Sequence, residues 1–69
     1  MSWNYRVMKK DDEYAVYEVH YDDSRLPMGQ SQYPITPADV TLEALRERLQ
    51  LIIEAFDKEI LDYDTLKPI

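Results

Sequence analysis

The sequence predicts an α+β domain: an antiparallel three-stranded meander with one amphipathic helix packed on one face. Three observations carry this. From Tyr14 to Tyr21 the apolar residues Ala15, Tyr17, Val19 and Tyr21 alternate by twos, the period of a strand. From Leu42 to Phe56 they recur by threes and fours, as Leu42, Leu45, Leu49, Ile52, Ile53 and Phe56, the period of a helix. Between the two lie turn formers, Asp22, Asp23, Ser24, Pro27 and Gly29, which interrupt either pattern. The 69 residues, 1–69, form one domain with a thin core. A chain this short reaches roughly 3–5 kcal/mol of stability unless it oligomerises.

The first strand is expected from Trp3 to Lys9, with Trp3, Tyr5 and Val7 on one face. The second runs from Tyr14 to Tyr21, and Asp11, Asp12 and Glu13 turn the chain between them. Directly opposed residues of an antiparallel pair share a face. Pairing Val7 with Tyr17, Tyr5 with Val19 and Trp3 with Tyr21 therefore joins the two apolar sets, and places Arg6 opposite Glu18 and Met8 opposite Val16. This register requires an odd-length loop centred on Asp12. A third strand is expected near Met28 to Tyr33, where the need to widen a two-stranded ribbon outweighs weak propensity. The small residues Gly29 and Ser31 there would let the helix lie close to the sheet.

Thr41 is the expected N-cap, with Glu43 near the positive helix end. The third helical position is Ala44, so the capping box is incomplete. The helix is expected to reach about Lys58 and to bury Leu45, Leu49, Ile52 and Phe56 against the strands. Ile60 to Tyr63 fits either a helix end or a short fourth edge strand.

Composition narrows the function. The chain has no cysteine, which excludes disulfides and thiolate zinc sites and agrees with a cytoplasmic protein. It lacks a basic-then-apolar leader, and no apolar run approaches the roughly 20 residues of a membrane span. The net charge is −6, from 14 acidic and 8 basic residues. The only basic doublet, Lys9-Lys10, is followed at once by three acids. Direct nucleic-acid binding needs clustered Lys and Arg and is not expected. An acidic surface instead suits a basic protein partner.

No catalytic, cofactor-binding or metal-binding constellation stands out. His20 is the only histidine and shares a strand face with Glu18 and Asn4, without a nucleophile. The acidic residues Asp11, Asp12, Glu13, Asp22, Asp23, Asp57, Glu59, Asp62 and Asp64 lack calcium-loop spacing. A nuclease would need acids projecting from the first strand, where Asn4, Arg6 and Met8 stand instead. Trp3 and the tyrosines of the hairpin would stack on bases only within a basic groove; here they read as strand formers. One feature of the helix points outward. Ala44, Arg48, Leu51 and Ala55 form a narrow second seam opposite the main stripe, which makes them a candidate self-association face and the protein a candidate homo-oligomer.

The opening Met1-Ser2-Trp3-Asn4-Tyr5-Arg6-Val7, the strand Tyr17-Glu18-Val19-His20-Tyr21-Asp22, the helix start Thr41-Leu42-Glu43-Ala44-Leu45-Arg46 and the tail Leu61-Asp62-Tyr63 together resemble a family of short uncharacterised bacterial proteins. That resemblance covers most of the chain and implies no particular activity. The usual helix start of the family has Glu at the position of Ala44. The order strand–strand–strand–helix, with Thr41-Leu42-Glu43 opening the helix, is also distantly similar to HicB-type antitoxins. Those have a reduced RNase H-like sheet with a helix on one face and commonly carry a separate DNA-binding segment, for which this chain has no room. The likeness implies a protein-binding module and not a nuclease. The expected function is therefore a non-enzymatic protein-interaction module, antitoxin-like, binding a basic partner. The competing reading is a small-molecule binder or small enzyme with a pocket between sheet and helix, which a core this small would scarcely enclose.

Overall fold

A computed structural model describes residues 2–69; Met1, which begins the opening motif, lies outside the described residues. The fold is α+β, with one curled four-stranded sheet and one helix. Strand β1 (Ser2–Lys10) and strand β2 (Glu13–Tyr21) form a long antiparallel hairpin. Strand β3 (Pro27–Gln30) pairs antiparallel with β2, with a register shift between His20 and Tyr21. The edge contact continues past β3, because Ser31 N donates to Glu18 O and Ile35 N to Val16 O, both at 2.9 Å. Helix α1 (Leu42–Glu54) follows, and a 3-10 turn over Ala55–Asp57 prolongs it, so the helical rise ends at Asp57. Strand β4 (Leu61–Asp62) closes the other side of the sheet against β1. The order is β3-β2-β1-β4, and because β1 and β4 run parallel the sheet is mixed.

The meander and the helix match expectation, although β3 occupies Pro27–Gln30 and not Met28 to Tyr33; of the two readings open for Ile60 to Tyr63 the short edge strand forms, and the hairpin register differs. Val7 lies opposite Val16, Tyr5 opposite Glu18 and Arg6 opposite Tyr17, with Lys10 paired to Glu13. The loop therefore holds two residues, Asp11 and Asp12, in place of the odd-length loop centred on Asp12. The tight turn is possible because Asp11 adopts a φ of 55°, a left-handed conformation that Asp tolerates better than most residues. A one-residue slip sends every β2 side chain to the other face. The proposed Arg6–Glu18 and Met8–Val16 pairs do not form, and His20 shares a face with Trp3 in place of Asn4.

The slip divides the core in two. On the helix side, buried Tyr5, Val7 and Ala55 pack with Val16, Ile35 and Ile52. On the opposite side, Met8, Tyr17, Val19 and Leu61 are sealed beneath Ala15, Tyr21, Tyr63 and Leu66. The roof of this second core is the segment after β4. Asp62 Oδ1 accepts from Asp64 N and Thr65 N, Asp62 N donates to Lys67 O, and Leu61 bridges to Pro68. Leu66 bends the loop back with a φ of 62°. Tyr63 then spans the curl: its N–H donates to Lys9 O, its hydroxyl to Gln32 O at 3.2 Å, and its carbonyl accepts from Gln30 Nε2 at 2.7 Å. Its ring lies 5.0 Å from that of Tyr17, and the Lys10 ammonium sits 4.5 Å above it. Gly29, expected to admit the helix, has no atom within 4 Å of where a Cβ would stand, so it answers no close approach.

Candidate functional site

Helix α1 begins where the sequence placed its cap. Thr41 is extended, and its hydroxyl accepts from Ala44 N at 3.0 Å, removing one of the orphan donors of the first turn. The side that meets the sheet is set by small residues and one arginine. Ala55 is fully buried against Tyr5 and Val7. About two turns upstream, Arg48 Nη1 donates to Tyr5 Oη at 2.8 Å, while its Nε and Nη2 donate to Asp39 Oδ2 at 3.1 and 2.8 Å. One guanidinium thus ties β1, α1 and the loop before the helix together. Val40 N adds a bond to the other oxygen of Asp39 at 2.9 Å.

This clamp has an electrostatic signature. The Arg48 hydrogen bond, then the Val40 N–H, hold the Asp39 carboxyl below its ordinary 3.8, because both favour the charged form. The stabilisation is present above 3.8 and is lost as pH falls through the lower folded-state value. Wild type should therefore outlast Asp39→Asn in thermal melts at neutral pH. That small advantage should vanish in acid, and an Asn variant equally stable throughout would show that the clamp adds nothing.

The expected self-association residues are consequently not one outward face. Ala55 lies in the core, Arg48 is engaged by Tyr5 and Asp39, and Ala44 is half-buried; Leu51 alone is largely exposed. The burial expected of Leu45, Leu49, Ile52 and Phe56 is corrected in the same stroke. Ile52 packs on the sheet and Leu45 is half-buried, but Leu49 and Phe56 face outward. The apolar arc of α1 covers about 200° at 100° per residue. The sheet takes the half around Arg48 and leaves the half around Leu42, Leu49, Ile53 and Phe56 uncovered. Leu42 is 74% exposed, Ile53 65%, Phe56 69% and Leu49 39%. Glu47 and Glu54, both exposed, line the solvent side of the same helix.

On the far face, Arg6 Nη1 donates to the Tyr21 hydroxyl, which donates to Asn4 Oδ1, and Arg6 Nη2 donates to Glu59 O at 2.7 Å. Arg6 Nε is shielded without a hydrogen-bond partner among the described residues. An open cleft of about 320 Å3 lies on the helix side, between Tyr5, Glu18, Ile35 and Arg48. A smaller one of about 190 Å3 separates Trp3 from Leu51 and Lys58. Among the described residues no three His, Cys, Asp or Glu side chains cluster as a metal site, and no helix is long and apolar enough to cross a membrane. No family model, curated protein or solved structure matches the chain.

Proposed function

We propose that the protein is a non-enzymatic protein-interaction module, antitoxin-like in action, that works through the outer face of α1. The observation that carries this reading is the uncovered stripe of Leu42, Leu49, Ile53 and Phe56. Single exposed leucines are ordinary, but four large apolar side chains in one row are a contact surface. The net charge of −6, with Glu47 and Glu54 exposed on another side of the same helix, favours a basic partner. The small-molecule reading draws on the 320 Å3 cleft, but the Arg48 guanidinium bordering it is already engaged by Asp39 and Tyr5. The test is recovery of tagged protein from its own cells, compared with Ile53→Glu. A basic protein held by wild type at low salt and lost from the variant is the expected result. Wild type and variant that carry the same bound metabolite and no differing protein would establish the alternative.

A further inference from the structure

We infer that the apolar stripe of α1 is covered by a second copy of this chain, packed antiparallel about a two-fold axis. This rests on the reading of the α1 outer face as a protein contact, and it names the occupant. The first ground is spacing. Leu42, Leu49 and Phe56 follow one another by sevens, and Ile53 falls four after Leu49 and three before Phe56. This is the seam pattern by which one helix receives the side chains of another.

The second ground is what occupies the remaining seam position. Arg46 stands between Leu42 and Leu49, exposed and on the uncovered side. In a parallel pair it would face its own copy, a like-charge contact. An antiparallel pair centred between Leu49 and Ile53 brings Leu49 against the second copy's Ile53. Arg46 then meets the second copy's Phe56 ring and the neighbouring Asp57 carboxylate. A guanidinium over an aromatic face, beside a carboxylate, is a favourable contact in both senses. The two-fold axis makes it twice. At this offset the charge in the seam meets a carboxylate of the second copy. The antiparallel arrangement also opposes the two helix dipoles.

The third ground is area. The four side chains leave roughly 400–500 Å2 exposed per copy, about half of what a standard interface buries on each partner. The flanking Leu45, Arg46, Gln50 and Asp57 extend it. Glu47 and Glu54 stay outside the pair, so a basic partner would find its acidic surface doubled.

The experiment has two arms. Sedimentation of the purified full chain should show a concentration-dependent dimer, with Kd in the range of about 1–100 μM. Ile53→Glu should be a folded monomer by circular dichroism. A wild type still monomeric at about 1 mM overturns the inference, and so does a dimer unchanged by Ile53→Glu. The geometry is read by disulfide trapping, which is clean because the chain has no cysteine. Leu49→Cys mixed with Ile53→Cys should cross-link as the mixed pair in preference to either variant alone. Preferential Leu49→Cys homodimers would establish a parallel pair and defeat the antiparallel one. The two readings fail separately: a monomeric wild type removes the second copy, whereas a basic partner indifferent to Ile53→Glu removes the α1 face as that partner's site.

Discussion

Removing residues 59–69 should leave a chain that no longer folds cooperatively. The truncation deletes Leu61, Tyr63 and Leu66, the roof of the second core, and so opens Met8 and Val19, both fully buried, and Tyr17, 3% exposed. It also removes β4, which pairs with β1, and the Glu59 carbonyl that receives Arg6. Burial of each large apolar side chain contributes about 1.5–3 kcal/mol. Uncovering several at once exceeds the roughly 3–5 kcal/mol available to a domain of this size. Near-ultraviolet circular dichroism and a thermal melt check it. A truncated chain with a sharp transition would show that the hairpin and α1 suffice alone.

The next largest effect is a contrast between two leucines. Leu61→Ala should cost about 2–5 kcal/mol, since Leu61 is 2% exposed and closes a packed cluster. Leu49→Ala should cost well under that, within about 1 kcal/mol, because Leu49 already meets water and leaves no internal cavity. The periodicity of the sequence orders these residues the other way, with Leu49 in the main helical stripe and Leu61 in an ambiguous tail. Denaturant unfolding of both variants at a concentration where the chain is monomeric measures the difference directly. Equal losses would return Leu49 to the core.

That inversion shows which part of the fold was legible. The hairpin, the helix start at Thr41 and the turn beginning at Asp22 follow from local chemistry, and local chemistry is what a sequence displays; the edge segment at Leu61 and the start of β3 at Pro27, inside the expected connection Asp22 to Gly29, do not. The register was not legible, because matching the two apolar sets presumes a single buried face. Both faces of the hairpin are in fact buried, one by Ala55 and Ile52 and the other by Leu61, Tyr63 and Leu66. The apolar sets of β1 and β2 are therefore free to point in opposite directions. The deciding residue was Asp11, whose left-handed backbone makes a two-residue turn without glycine. The outer face of the helix was hidden for a related reason. An apolar arc of about 200° exceeds what one sheet can cover, and periodicity alone does not say which half the sheet takes. Arg48 was the available signal: an arginine flanked by Ala44 and Ala55 on one helix face had a phenol, that of Tyr5, within reach.

The pairing of β4 with β1 has a consequence for how the chain comes into being. Arg6 and Glu59 are bonded across 53 positions of sequence, and Met8 meets Leu61 across a similar gap. Such long-range closure gives a high contact order, which slows folding relative to a chain built from neighbours. Before residues 59–69 dock, the hairpin leaves Met8, Tyr17 and Val19 bare on one side. A partly folded chain therefore carries an adhesive sheet face, which is hidden only when β4 and the segment after it are in place.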